Sequence, residues 1–179
     1  MKTLEKFAVN VDLPFIGGIQ GTWKFDEKEK QAAWELYVEL VTRISVEKLG
    51  PDEGLLREAL SSLYSLFDTT RKILRSYGPS VGQLKDGGDL SVGYLALTIL
   101  NKVLRPVLAK WHPLLLDYEN TKPETVSSLA HEQQWEHNAA LREVLEEVRE
   151  SLIIYSSLLA EVAGVPDLHK PIQFSRKKR

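Results

Sequence analysis

Leu90–Trp111 reads LSVGYLALTILNKVLRPVLAKW, and the placement of its polar residues decides the fold. Set out at ~100° per residue, Ser91, Tyr94, Thr98, Asn101, Lys102, Arg105 and, just beyond, His112 fall in one sector about 100° wide. Leu95, Leu97, Ile99, Leu100, Val103, Leu104, Val107, Leu108 and Trp111 cover the rest. A helix that apolar has to be covered on several sides, as the central member of a bundle is. Its longest uncharged run, Leu90 to Asn101, falls short of the ~20 apolar residues that span a bilayer. Lys102, Arg105 and Lys110 then interrupt it, so the segment reads as a soluble core helix and no membrane is expected. Pro106 lacks an N–H for the Lys102 carbonyl and should bend the helix; Pro113 should stop it.

Working outward, the flanking segments supply the partners. Asp26, with Glu29 three residues on, makes a capping-box-like start for a helix running to about Lys48. Ala33, Leu36, Tyr37, Leu40, Val41 and Ile44 form its inner face, and Gly50-Pro51 ends it. A second helix spans Asp52 to Tyr77, before another Gly-Pro, and its apolar stripe includes Leu56, Ala59, Leu60, Leu63, Phe67, Thr70 and Leu74. Arg71, Lys72 and Arg75 near its end suit the negative pole of the helix dipole. Residues 78–89 form a glycine-rich loop, after which Asp89 or Ser91 caps the central helix. Leu114, Leu115 and Leu116 fall in the next connection and should tuck under the bundle end. The last helix, Ser127 to Ala163, is the longest, with Leu141, Val144, Leu145, Val148, Leu152, Tyr155, Leu159 and Val162 at bundle spacing. Gly164 and Pro166 close it.

The ends differ. Phe7, Val9, Val11 and Leu13 alternate with Ala8, Asn10 and Asp12, the period of a half-buried strand. Pro14, Gly17, Gly18 and Gly21 then argue for an irregular arm rather than a second element. The glycines lack the spacing of either common phosphate loop. The final HKPIQFSRKKR reads as a disordered basic tail. The expected fold is therefore all-α: a mostly antiparallel four-helix bundle over residues 26–168, with an extended N-terminal arm (1–25) and a basic tail (169–179).

Composition narrows the function. A net charge of −2 gives no global field to hold nucleic acid. The absence of cysteine removes disulfides, thiol nucleophiles and thiolate metal sites. Glu5, Asn10 and Asp12 stand where a signal peptide needs an apolar run, so the expected location is cytoplasmic. No Glu-x-x-His occurs, and Trp135 stands where an HExxH motif beginning at His131-Glu132 needs its second histidine. No GxSxG occurs either. No metal, cofactor or catalytic set is expected.

Polar groups do interrupt one apolar stripe. In line with Leu141 and Leu145 stand Asn138, Gln134 or Trp135, and His131. Burying such groups unpaired costs roughly 1–3 kcal/mol each, so they have partners, meet water or overhang the bundle. The pocket reading gathers Arg105, His112, His131, Gln134, Trp135 and Asn138 into one ligand site, with Arg105 as an anion fork and Trp135 as a flat wall. On the exposed face Glu143, Glu146, Glu147 and Glu150 form an acidic patch, which reads as a solvated surface or, functionally, as a docking face for a basic partner. One internal partner is Arg176, Lys177, Lys178 and Arg179, from the same or a second subunit. The leading expectation is a non-enzymatic interaction module that self-associates through protein–protein contacts. A small-molecule or nucleotide sensor or enzyme using the pocket, and an accessory nucleic-acid binder working through the tail, are the alternatives.

Overall fold

Asp26 is where extended chain becomes helix. Its carboxylate accepts hydrogen bonds from the Lys28 and Glu29 N–H groups (3.0 and 3.1 Å), which fixes the start of α1, Glu27–Val41. A computed structural model describes residues 5–85, 87 and 90–170, with only the backbone of Ile44. It is 64% helical, with five helices and an N-terminal two-stranded antiparallel hairpin. After α1 come α2 (Leu56–Tyr77), α3 (Val92–Glu119), α4 (Ser128–Gln133) and α5 (Asn138–Ala163). The hairpin pairs β1 (Glu5–Leu13) with β2 (Gly17–Phe25).

The hairpin corrects both the all-α reading and the irregular arm. Leu13 pairs with Gly17, Asp12 with Gly18 and Val9 with Gly21, so the glycines that looked like breakers belong to a strand. Ile19, Gly21, Trp23 and Phe25 share one face of β2, and Gly21 had masked that alternation. Phe15 at the tip has φ 70°, a conformation unusual for a residue with a side chain, and Gly17 follows at φ 88°. Trp23, fully buried, stacks on Phe7 at 5.9 Å and bridges to Leu90 at the entrance to α3. The hairpin thus caps one side of the helical core.

The long stripes fall where their spacing puts them. Leu36 and Leu40 of α1, Leu56, Leu60 and Leu63 of α2, and Leu141, Val148, Leu152 and Leu159 of α5 are all buried in one core. Within α3, Leu95, Ile99, Val103, Leu104 and Leu115 are buried, whereas Tyr94 and Leu97 face outward. By length and composition α3 could cross a bilayer, yet 56% of its most apolar window is packed inside the protein.

Boundaries moved for local reasons. α1 stops at Val41, not Lys48, because Arg43 turns across to α2, donating to the Ser62 carbonyl and the Ser65 hydroxyl. α2 starts at Leu56, four residues later than expected. Before Pro106 the central helix widens: Ile99–Leu104 is a π segment, and the Arg105 N–H reaches back to the Leu100 carbonyl. Pro113 does not end α3. It lies on the exposed side, where water can serve the Ala109 carbonyl that Pro113 leaves unmatched, and the helix runs on to Glu119. Of the following leucines only Leu115 is buried; Leu114 and Leu116 are exposed. Ser91, rather than Asp89, caps α3 through its hydroxyl; Asp89 lies outside the described residues. The single last helix is really two, broken at residues 134–137.

Candidate functional site

The break between α4 and α5 organises the polar interior. Glu132, 2% exposed, sends its carboxylate to the start of α2, accepting from Leu56 N–H at 2.7 Å and Arg57 N–H at 3.3 Å. Leu55, the residue before α2, cannot cap with its own side chain, so a glutamate from another helix does it. A carboxylate also suits the positive pole of a helix N-terminus. The Glu132 carbonyl in turn accepts from Asn138, whose Oδ1 accepts from Arg142, and Arg142 reaches the Gly50 and Glu53 carbonyls.

At the same end of α2, the Arg57 side chain clamps α3. Its Nε lies 2.9 Å, and its Nη2 2.8 Å, from the Glu119 carboxylate, and its Nη1 lies 2.6 Å from His112 Nδ1. Arginine has no acceptor, so Nδ1 accepts and the neutral ring carries its proton on Nε2. Burial, and then the Arg57 charge, hold the His112 pKa below the ordinary histidine value, against the Glu119 carboxylate and the Leu60 carbonyl.

A second glutamate repeats the device at the other end. Glu29, fully buried, accepts from the Val92 N–H at 3.0 Å, the first turn of α3. Glu29 was expected to close a capping box on its own helix; it serves another helix instead. Lys85 sits 2.9 Å from Glu29 and 2.6 Å from Asp26, tying the chain just after residues 79–82 to the start of α1. Burial raises the Glu29 pKa despite the Val92 N–H and Lys85. For Asp26 burial is outweighed by Lys85 and the capped N–H groups, and the pKa is lowered.

The residues gathered into one expected pocket are divided among four environments. His131 is buried, stacked on Tyr118 at 4.1 Å with planes 10° apart, and bonded to the Tyr118 carbonyl. Trp135 is buried, stacked on Tyr118 at 5.7 Å and edge-on to Trp111 at 6.1 Å. Asn138 is half-buried in the network above, and Gln134 is exposed. Arg105 and His112 lie elsewhere, on a groove of about 530 Å³ between α2 and α3 that Tyr64, Phe67, Arg71 and Leu108 complete.

The acidic patch borders a larger groove. Glu143 and Glu146 line a depression of about 710 Å³ between residues 45–51, α2 and α5. Its floor includes the buried Leu56, Ala59 and Leu63. Arg149 grips Glu146 through two bonds of 2.8 and 2.6 Å, which lowers the Glu146 pKa first, with Lys48 adding to it. Glu143, Glu147 and Glu150 are exposed; Arg176, Lys177, Lys178 and Arg179 lie outside the described residues.

No family model, curated protein or solved structure matches this chain.

The chemistry must therefore be read from the geometry. Among the described residues, no three His, Asp or Glu side chains converge as a metal site would require. The buried acids stand at helix N-termini and the interior arginine is matched by Glu119, which is structural use of charge. The sequence reading did not take Glu132, Arg57, Tyr64 or Phe67 as site residues. The visible signal for Glu132 was its place beside His131, inside the polar interruption of an apolar stripe.

Proposed function

We propose that this chain is a non-enzymatic helical interaction module that self-associates, using the groove between residues 45–51, α2 and α5 as its docking face. In this reading α1, α2, α3 and α5 act as a mostly antiparallel four-helix bundle in the cytoplasm, and the groove is where the bundle is left open. The observation that carries it is the groove's make-up: a leucine and alanine floor under a rim bearing both signs of charge, Lys48, Arg142 and Arg149 with Glu47, Glu143 and Glu146. A two-fold interface brings a surface patch against its own copy, so it requires a rim that is self-complementary. Neither Lys48 nor Glu143 makes a close ion pair among the described residues; Lys48 acts on Glu146 only at longer range, so both can pair with a second copy. An amphipathic helix laid into a floor of this kind is a recurrent mode of protein recognition.

Sedimentation velocity at micromolar concentration tests the reading. The wild-type chain is expected to sediment as a dimer. Ala139→Trp, which fills the groove from its exposed edge, and Glu143→Lys, which breaks the rim pairing, are each expected to yield monomer. A wild-type chain that stays monomeric to 100-fold higher concentration refutes it.

A further inference from the structure

The smaller groove is built differently, and we propose that it binds a small organic anion whose acidic group is carried on an aromatic ring. It shares α2 with the docking groove but none of its lining residues, and it stands independently of the self-association reading.

Two helical stripes face each other across it. Tyr64, Phe67 and Arg71 sit at i, i+3 and i+7 on α2; Arg105, Leu108 and His112 sit at i, i+3 and i+7 on α3. The volume of about 530 Å³ suits a ligand of one or two rings, given that small-molecule pockets span ~300–1,000 Å³. Leu108 is buried beneath it, and the walls are aromatic: Tyr64 and Phe67 lie 6.4 Å apart, and Tyr64 meets the His112 ring edge-on at 5.7 Å. Neutral His112 adds a ring and no charge.

The anion preference comes from the arginines. Asn101 anchors its amide on the Leu97 carbonyl and accepts from Arg105 Nε at 3.0 Å. The Arg105 guanidinium is held in turn 5.6 Å from the centre of the Phe67 ring. Both contacts fix the planar fork yet leave its two terminal nitrogens without a protein acceptor among the described residues. A fork held this way loses little freedom when it grips a carboxylate or phosphate. Arg71 faces it from α2 and makes no close ion pair among the described residues: Asp68 pairs with Lys72 at 2.5 Å and feels the Arg71 charge only at longer range. The other guanidinium at this end, Arg57, is already matched by Glu119. The groove therefore holds two guanidiniums over an apolar, aromatic bed: Arg105, which no acid answers among the described residues, and Arg71, whose charge reaches Asp68 only beyond ion-pair distance. A bare anion would leave that bed empty, and a neutral ring would leave the charges unmatched.

Isothermal titration of the full chain at pH 7.5 and low salt tests this, with 2-naphthoate and 2-naphthyl phosphate as probes. Saturable one-to-one binding of at least one probe is expected. Arg71→Gln combined with Arg105→Gln should weaken it tenfold or more, and neutral 2-naphthamide should bind the wild type at least tenfold more weakly. Both arginines are exposed, so the variant should melt with the wild type, which the same samples can show. No saturable binding of either probe, or a loss under tenfold in a folded double variant, overturns the proposal. So does inorganic phosphate binding as tightly as 2-naphthyl phosphate.

Discussion

Glu132→Ala is the substitution that most directly tests how the helices are held together. Its carboxylate serves the Leu56 and Arg57 N–H groups across 75 residues or more of sequence, in a place sealed from water. Losing a helix N-cap costs about 0.5–2 kcal/mol, and losing a negative charge at an N-terminus costs about 0.3–1 kcal/mol more. Because Glu132 is only 2% exposed, water cannot easily take over, and an unserved buried N–H adds roughly 1–3 kcal/mol. These terms overlap, so the total expected is about 2–4 kcal/mol, which for a chain of this length lowers Tm by roughly 4–16 °C. Glu132→Gln keeps the shape and one acceptor oxygen and should lose about half as much. The adjacent Gln133→Ala removes only an exposed contact to Asp52 and should stay within about 0.5 kcal/mol of wild type. Urea unfolding at pH 7.5 measures all three, and hydrogen exchange at the Leu56 and Arg57 amides localises the effect. If Glu132→Ala matches Gln133→Ala, the cross-helix cap contributes nothing and the reasoning fails.

Lys85→Met should cost about 2–3 kcal/mol, less than the ~3–5 of a fully orphaned buried charge because the Val92 N–H still serves Glu29. Adding Glu29→Gln should recover part of that loss in urea melts, and strict additivity would contradict the pairing. Gly93→Ala puts a Cβ 2.9 Å from Gly82 Cα and 3.0 Å from the Val81 carbonyl, both backbone. Expected is a loss of about 1–3 kcal/mol, with faster exchange in residues 79–82; a neutral result would mean that α3 and this turn do not pack so closely. His112 gives a pH dependence. Its folded pKa lies below the unfolded value, so the unfolded chain takes up the proton first as pH falls. Stability is therefore complete above about pH 6.5 and declines as pH drops through that value towards the folded one. Urea melts at pH 7.5 and 5.5 should show this, and His112→Gln should flatten the difference.

Much of the helical core was legible because apolar spacing is a local property. Leu36, Leu63, Leu104 and Leu152 are buried for the reason their period states, and Asp26, Gly78 and Gly164 end or begin helices through their own backbone or side-chain chemistry. What was not legible depends on distant partners. The run Ser127–Ala163 contains no proline or glycine, so nothing local foretells a break at residues 134–137. The break follows from Trp135 entering the Trp111–Tyr118 cluster while Glu132 reaches α2. Pro113 was read as a stop because its neighbour's exposure cannot be seen in one dimension. The glycine strand was missed because β2 is held by its pairing with β1 more than by its own side chains.

The same reasoning explains why the expected pocket divided. Polar residues on the stripe were expected to have partners, meet water or overhang the bundle, and the structure divides them: His131 bonds to the Tyr118 carbonyl, Asn138 donates to the Glu132 carbonyl, and Gln134 is exposed. The further step, from partnered polar groups to a shared cavity, does not follow from burial. The two buried carboxylates already have their charges answered inside the protein, Glu132 by two backbone donors at a helix N-terminus and Glu29 by one together with Lys85. Arg105 and Arg71 show the opposite condition: exposed over an aromatic bed, with no close ion pair among the described residues and only Asp68, itself paired with Lys72, near enough to feel Arg71. In this chain, then, a ligand is to be sought where charge is left over, at the α2–α3 groove, and not where it is consumed in joining one helix to the next.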